Sequence, residues 1–214
     1  MNRPIRSYVL RQGRTTPAQK RALEELLPKY GIPFSTEKIA SRRRLVLEIG
    51  SGMGETTVAI AKLRPEVDFI AVEVHGPGVG SLLNAIEREK LDNLRVIRHD
   101  ALDVLEHMVA DGQLAAIHLF FPDPWPKKRH HKRRLVQPQF AALAARKLET
   151  GGVLHAATDW PDYADHMEHV FAREPLLERS ARAFSERPTT KFESRGRRLG
   201  HPVRDLVFRR RGTA

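Results

Sequence analysis

The residues with the clearest chemical potential form one continuous stretch in the middle of the chain. An apolar run leads into Asp123, a carboxylate that stands between two prolines, and Trp125 follows two residues later. Residues 127–134 then contain six lysines or arginines and two histidines. Because proline restricts its own backbone and that of the residue before it, the acid has little conformational freedom. The order predicts a carboxylate that acts on a reacting group beside a surface that holds a polyanion.

The overall composition supports a polyanionic partner. The 214 residues include 37 lysines and arginines against 26 acidic residues, a formal net charge of +11. The positive charge is concentrated at 127–134 and 195–198, whereas an arginine-rich composition without a specific partner would spread it evenly. We therefore expect a nucleic acid partner.

Several classes of protein are excluded or disfavoured by what the sequence lacks. The absence of cysteine excludes disulfides and thiolate chemistry. No apolar run reaches the roughly 18 residues of a membrane span, so we expect a cytoplasmic protein without a membrane partner. We expect no metal, because the paired histidines lie in a basic run without acidic ligands. We expect a monomer or weak homodimer.

Short apolar runs alternate with helical patterns from residue 44 onward, which predicts a largely parallel sheet covered by helices. The predicted strands are 45–49, 69–74, 94–97, 114–121 and 153–157, and the predicted helices are 55–63, 79–90, 102–109, 139–148 and 163–171. A last, antiparallel strand over 203–210 is predicted to pair with a segment near 181–184. Residues 1–40 form a basic N-terminal segment with a helix over 18–27, capped by Thr16. Residues 41–214 form the main part of what we expect to be a single domain.

A glycine turn separates the first predicted strand from the first predicted helix of this main part. Gly50, Gly52 and Gly54 allow a tight turn and let a ligand approach the backbone at a helix N-terminus. The spacing is G-x-G-x-G rather than the G-x-G-x-x-G of dinucleotide sites, and Glu48 stands just before it. A carboxylate repels a pyrophosphate but attracts a cation. S-adenosylmethionine (AdoMet), which has an ammonium, a sulfonium and no phosphate, suits this turn better than a dinucleotide.

Four acids lie at or just beyond the carboxyl ends of four successive predicted strands: Glu48, Glu73, Asp100 and Asp123. In open parallel sheets that edge is where ligands bind, and an acid at the end of the second strand can accept both ribose hydroxyls of an adenosine. Any one of them could instead be a loop residue, and Asp100 could cap the following helix. Together they predict a cofactor site.

Six segments of the chain resemble the bacterial tRNA (guanine-N7)-methyltransferase family. They are residues 47–54 (LEIGSGMG), 70–75 (IAVEVH), 99–101 (HDA), 120–125 (FFPDPW), 157–160 (ATDW) and 190–193 (TKFE). The resemblance runs from about Arg6 to Arg210. It implies a Rossmann-like class I methyltransferase fold, an α/β fold whose mostly parallel seven-stranded sheet has an antiparallel last strand and helices on both faces. The implied activity is methyl transfer from AdoMet to N7 of guanine 46 in the tRNA variable loop.

The resemblance also implies roles for individual residues. The cofactor-binding residues would be Glu48, Gly50, Gly52, Gly54, Glu73, Asp100 and Asp123, with Asp123 also catalytic. The substrate-binding residues would be Lys127, Asp159, Thr190, Lys191, Phe192 and Glu193. The RNA-contacting residues would be Arg129, His130, His131, Lys132, Arg133 and Arg134. Two alternatives stay open: Trp125 stacks on the target base or packs on the sheet edge, and Asp159 reads a guanine N–H, caps the next helix, or does both.

Guanine N7 has an in-plane lone pair and no proton to lose, so the implied reaction needs no strong base. A fixed carboxylate would instead stabilise the positive charge that develops on the purine. Three other functions remain: a methyltransferase for another RNA or a small molecule, a non-catalytic RNA-binding protein, and a nucleotide-dependent dehydrogenase. The glycine spacing and Glu48 argue against the last of these.

Overall fold

The computed structural model describes residues 7–8, 13–189, 193 and 202–212. The α-helices there are α1 (Pro17–Glu25), α2 (Leu27–Tyr30), α3 (Glu55–Leu63), α4 (Gly76–Glu89), α5 (Ala101–Asp103), α6 (Pro138–Lys147) and α7 (Pro161–Ala172). The strands are β1 (Arg44–Ile49), β2 (Val67–Val72), β3 (Leu94–Ile97), β4 (Leu114–Phe120), β5 (Leu148–Thr158), β6 (Leu177–Arg179) and β7 (Arg204–Arg210). A π-helical turn, Val104–Met108, follows α5, and a 3₁₀-helix spans Lys128–Arg133.

The seven strands form one sheet in the order β3-β2-β1-β4-β5-β7-β6. Strands β1 to β5 pair in parallel, and β7 runs antiparallel between β5 and β6. The predicted fold class is therefore confirmed, including the antiparallel last strand. The predicted partner of that strand near 181–184 is wrong, since β6 lies at Leu177–Arg179. With only Leu177 buried in a three-residue strand, β6 has no apolar pattern that the sequence could display.

Two predicted strands end earlier than expected. Strand β2 stops at Val72, so Glu73 is the first residue beyond it. Strand β4 stops at Phe120, because Phe121 has a φ of 52° and turns the chain out of the sheet. Both corrections shift the acids further into the loops at the carboxyl edge.

The N-terminal helix begins as predicted. Thr16 accepts a hydrogen bond from the Gln19 amide at 3.3 Å, and the Gln19 side chain accepts one from the Thr16 amide at 2.8 Å. The single predicted helix over 18–27 is in fact α1 followed by α2, because Pro28 near the start of α2 cannot donate an amide hydrogen bond to α1. Helix α1 packs on α4, where a Cβ on Gly80 would lie 2.6 Å from the Gln19 carbonyl oxygen.

A hydrophobic core lies on each face of the sheet. One face, with Leu47 and Ile117, packs with α6, α7 and the π-helical turn. The other, with Val46 and Phe69, packs with α1, α3 and α4. This two-sided cover holds the carboxyl ends of β1 to β4 together at one edge. No helix in the described part of the chain is long and apolar enough to cross a membrane.

Candidate active site

The glycine turn after β1 is packed on one side and open on the other. Gly54 has a φ of 82°, and a Cβ there would lie 2.4 Å from Leu82 Cδ1 of α4. Gly50 and Gly52 also have left-handed backbones, but an added Cβ on either would meet no atom within 4 Å. The turn therefore leaves free space beside the N-terminus of α3, where a ligand can approach the backbone.

A cavity of about 210 Å³ opens beside this turn. Residues from the carboxyl ends of β1 to β4 form most of its lining: Ile49, Gly50, Val72, Glu73, Val74, His99, Asp100, Ala101, Leu119, Phe120, Phe121, Pro122 and Asp123. Ser7, Tyr8 and Leu135 complete it. The structure thus brings three of the four predicted acids into one cavity, while the fourth, Glu48, is buried in β1 next to its lining.

Two of these acids are held by backbone amides. The Glu73 carboxylate accepts hydrogen bonds from the amides of Gly52 and His75, both at 2.8 Å. Asp100 accepts from the Leu102 amide at 2.8 Å and caps α5, so it has the capping role that the sequence left open while also lining the cavity. A carboxylate oxygen that accepts one hydrogen bond retains a lone pair, so both acids can still accept from a ligand.

Glu48 is the most perturbed acid of the site. Burial raises the pKa of its carboxyl to about 7, Thr57 acts in the opposite direction, and the negative charge of Glu73 raises it further. Its Oε2 atom is buried and has no hydrogen-bond partner within the described part of the chain. A buried carboxylate oxygen without a partner is costly, and a cationic group placed beside it would remove that cost. This observation fits a positively charged cofactor such as AdoMet.

Two buried histidines lie on the next two strands of the sheet and form a row with Glu48. In register, Glu48 lies opposite His118 on β4, and His118 lies opposite His155 on β5. Burial, and then the neighbouring His155, lower the pKa of His118 to about 3, so its ring is neutral. Sequence reasoning missed this row; the available signal was a histidine inside each of two apolar strands.

Asp123 is exposed to solvent where it lines the cavity. Partial desolvation raises the pKa of its carboxyl above the ordinary value, Glu73 adds to the effect, and Arg133 opposes it. Among the residues that the structure describes, none forms a hydrogen bond with its side chain. Left-handed residues stand on either side, Phe121 at φ 52° and Trp125 at φ 46°. The proline-flanked segment is therefore a sharply turned loop with its carboxylate available to a ligand.

Trp125 packs within the protein. Its Nε1 donates to the Ser7 carbonyl oxygen at 3.1 Å, and the Arg133 guanidinium lies 3.9 Å from its ring centroid. These contacts favour the packing alternative in this structure, and stacking on the target base stays a prediction.

The basic run divides into an exposed and a buried part. Its exposed cations are Lys127, Lys128, Arg129 and Lys132, which we call the basic surface. His130, His131 and Arg133 are partly exposed beside it, and neighbouring cations add to desolvation in lowering the pKa of His130.

Arg134 differs from the other members of the run. Its side chain is 1% exposed, donates to the Pro124 carbonyl oxygen at 2.9 Å, and forms an ion pair with Asp162. Its guanidinium also lies 4.8 Å from the Tyr163 ring centroid. The geometry therefore favours support of the Asp123 loop through Pro124 over the phosphate contact implied by the resemblance.

The predicted substrate-binding residues are spread over several segments. Asp159 follows β5 without lining the cavity. Trp160 is the N-cap residue of α7 and no side-chain hydrogen bond caps the helix, so Asp159 does not cap it. Glu193 is buried against Arg187. Thr190, Lys191 and Phe192 lie outside the described residues, as does the second basic cluster at 195–198. The described part of the chain holds no group of three or more potential metal ligands.

Comparison with known proteins agrees with this geometry. Residues 42–206 match a family model described as "Putative methyltransferase". Among solved structures, the chain resembles the 16S rRNA methyltransferase KamB (TM-score 0.55, 16% identity, 95% of this chain and 97% of that one). It also resembles the aminoglycoside resistance methyltransferase NpmB1 (TM-score 0.56, 16% identity, 92% and 95%). At these identities the similarity establishes the fold.

Sequence relatives are much closer. The chain is 53% identical over 220 residues to a tRNA (guanine-N(7)-)-methyltransferase of Methylobacillus flagellatus, covering 98% of this chain and 92% of the relative. It is 56% identical over 215 residues to the protein of the same name from Nitrosomonas eutropha, covering 96% of each. With identities this high over nearly the whole length, the chain belongs to the tRNA (guanine-N(7)-)-methyltransferase family.

Proposed function

We propose that this protein transfers a methyl group from AdoMet to N7 of a guanine in tRNA, and that the target is guanine 46 of the variable loop. The observation that carries the proposal is the cavity at the carboxyl edge of the sheet. Glu73, Asp100 and Asp123 line it, Glu48 lies beside the lining with a buried Oε2 atom that has no partner among the described residues, and the basic surface begins four residues after Asp123. An acidic site for a cation thus adjoins a cationic surface for a polyanion. The relatives described above are named as tRNA (guanine-N(7)-)-methyltransferases, which supports the activity but does not specify the position.

The cofactor would be held by the glycine turn and the acids around it. Glu48 offers an unpartnered oxygen to a cationic group, while Glu73 and Asp100 keep lone pairs for hydroxyl or amine donors. The open space over Gly50 and Gly52 admits a ligand against the backbone. When bound, AdoMet supplies an electrophilic methyl group on a sulfonium.

Asp123 would be the catalytic residue, acting by electrostatics. Guanine N7 carries a lone pair and has no proton to remove, so the carboxylate is not required as a base. Its negative charge, held in the cavity wall, would stabilise the positive charge that develops on the purine. The rest of the rate enhancement would come from alignment of the purine, to which the rigid loop around Asp123 contributes.

The tRNA would bind along the basic surface, whose four cations face solvent. His130, His131 and Arg133 lie beside it and complete the exposed part of the predicted RNA contact. Lys127, Asp159 and the segment 190–193 keep their predicted substrate roles. We also propose that residues 1–40 form an N-terminal segment of a single methyltransferase domain, since α1 packs directly on α4.

The test is tritium transfer from labelled AdoMet to an unmodified tRNA transcript, followed by mapping of the modified base. We expect incorporation at N7 of guanine 46 and none into a transcript in which that guanine is replaced by adenine. Incorporation into the adenine transcript at wild-type level would refute the position. Absence of transfer to any tRNA, with AdoMet binding intact, would refute the activity and favour a non-catalytic RNA-binding protein.

A further inference from the structure

Arg187 forms a buried ion-pair network that sequence reasoning did not identify. Its side chain is 5% exposed, and it pairs with two carboxylates, those of Glu193 and Asp205. The Nε and Nη2 atoms donate to the two oxygens of Asp205, each at 3.0 Å. The Nη1 and Nη2 atoms donate to Glu193, the latter at 3.2 Å. Such two-pronged contacts fix the orientation of the guanidinium plane.

The network is also anchored to the sheet. Asp205 lies on β7, and its Oδ1 atom is 2.8 Å from Nε2 of the buried His155 on β5. Burial alone would raise the pKa of Asp205, but His155 and Arg187 outweigh it and hold the pKa well below the ordinary range. Asp205 is therefore a stable anion, and Arg187 is attached through it to two strands.

The other side of the guanidinium faces the end of β4. Its central carbon lies 5.8 Å from the ring centroid of Phe120 and 5.3 Å from that of Phe121. Phe121 is the left-handed residue that starts the Asp123 loop, and its amide donates to the Ala157 carbonyl oxygen at 2.8 Å. A left-handed backbone in a bulky aromatic residue is unfavourable and persists only where its surroundings hold it.

We propose that Arg187 is a positioning residue that acts through Phe120 and Phe121 to hold the Asp123 loop in the cavity wall. The inference rests on the proposed function, because it assumes that Asp123 acts in that reaction. Within the described residues, no hydrogen bond or ion pair joins Arg187 directly to Asp123. Glu193, whose side chain is fully buried in the same network, then acts at least in part by fixing Arg187.

A double-mutant cycle between Arg187 and Asp123 tests the proposal. We expect Arg187→Met to lower kcat for tRNA methylation about 10- to 100-fold, the order of loss that follows small misplacement of a catalytic group. In an Asp123→Ala background, the same substitution should lower kcat by less than about threefold, because residues that act as a unit are not additive. If the two losses multiply, Arg187 acts independently of Asp123 and the proposal is overturned.

The matched control is Arg209→Met, which removes another arginine that is ion-paired and lies outside the network. Arg209 lies on β7 like Asp205, but its side chain is 55% exposed and pairs with Glu178. We expect its kcat to stay within about twofold of wild type, since exposed ion pairs contribute little. An equal loss in the Arg209 and Arg187 variants would also overturn the proposal.

Removal of one partner from a buried ion pair can unfold a protein, so thermal unfolding is measured for every variant. If Arg187→Met does not fold, Asp205→Asn keeps the shape of the network and replaces it in the cycle. The same non-additivity with Asp123→Ala supports the proposal, and multiplication of the losses overturns it.

AdoMet binding, measured by calorimetry, separates this inference from the proposed function. Because Phe120, Phe121 and Asp123 line the cavity, Arg187→Met should weaken AdoMet binding several-fold even if the wild type methylates no tRNA. If the wild type binds AdoMet but methylates no tRNA, only the proposed function is refuted. If a folded Arg187→Met variant binds AdoMet as tightly as the wild type, the positioning role of Arg187 is refuted.

Discussion

Replacement of Glu48 by glutamine should stabilise the protein at alkaline pH while weakening its cofactor site. Glu48 is 3% exposed, and burial raises the pKa of its carboxyl from an ordinary value of 4.5 to about 7. The folded protein therefore holds a proton on Glu48 between about pH 4.5 and 7 that the unfolded chain has lost. The stability contributed by protonated Glu48 is fully present below pH 4.5 and is lost as the pH rises through 7.

The size of the effect follows from this pKa difference. Each pKa unit corresponds to about 1.4 kcal/mol, so ionised Glu48 lowers the free energy of unfolding above pH 7 by about 3 kcal/mol. Between pH 5 and pH 8 the loss is about 2 to 3 kcal/mol, because the unfolded carboxyl is already partly ionised at pH 5. Glutamine cannot ionise, so the Glu48→Gln variant escapes this loss. The difference in melting temperature between the variant and the wild type should therefore be about 5 to 10 °C larger at pH 8 than at pH 5, for a chain of this size.

Urea denaturation or thermal unfolding of both proteins without cofactor, at pH 5 and pH 8, measures the effect. The quantity to compare is the stability difference between variant and wild type at the two pH values, which cancels other titrating groups and any packing change. Glu37→Gln, at an exposed position, provides the control and should show no such pH dependence. A difference that is the same at both pH values would refute the burial argument.

The same substitution reports on the cofactor. Binding of a cation beside Glu48 requires the ionised carboxylate, so AdoMet affinity of the wild type should fall up to about tenfold per pH unit below 7. Glu48→Gln should bind AdoMet more weakly and lose this pH dependence. Calorimetry across pH 5.5 to 8 checks it, and an identical slope in both proteins would separate Glu48 from the cofactor.

Three further predictions concern the loop, the basic surface and the glycine turn. Asp123→Asn should lower kcat about 10²- to 10³-fold with tRNA affinity little changed; full activity in the tritium assay would exclude Asp123 from the mechanism. Replacement of all four cations of the basic surface by glutamine should weaken tRNA binding and reduce the slope of log K against log[salt] by about 3. Lys20→Gln on α1 should leave both unchanged. An unchanged slope in the fourfold variant would show that the basic surface does not contact phosphate. Gly54→Ala should destabilise the protein by about 2 kcal/mol or more, because it adds a clash with Leu82 to the left-handed strain, whereas Gly151→Ala, with φ 80° and open space, should cost about 1 kcal/mol. If urea denaturation gives equal losses of unfolding free energy for the two variants, the contact with Leu82 does not contribute.

The features that sequence reasoning predicted correctly depend on short-range signals. Apolar runs predicted the five parallel strands, and Thr16 followed by Pro17 predicted the start of α1. Parallel strands also bring their carboxyl ends to one edge of the sheet. The proximity of Glu73, Asp100 and Asp123 could therefore be predicted without knowing any long-range contact.

The features that it missed depend on contacts between distant segments. Arg187 pairs with Asp205 on β7, which is 18 residues further along the chain, and nothing in the sequence around Arg187 distinguishes it from the other arginines. Arg134 was predicted to contact RNA although it is buried, because a buried arginine in a basic run cannot be distinguished by sequence from its exposed neighbours. Burial of charge is decided by tertiary packing, which composition does not report.

The position of β7 inside the sheet has a consequence for how the molecule is assembled. Without β7, strand β5 would be an edge strand with unpaired amides, which is a site where other chains can pair. The pairing of β5 with β7 joins residues about 50 apart in the sequence, and such non-local contacts are expected to slow folding. Because β7 carries Asp205, which holds Arg187, we expect competence to bind cofactor to appear during refolding only when β7 has paired with β5.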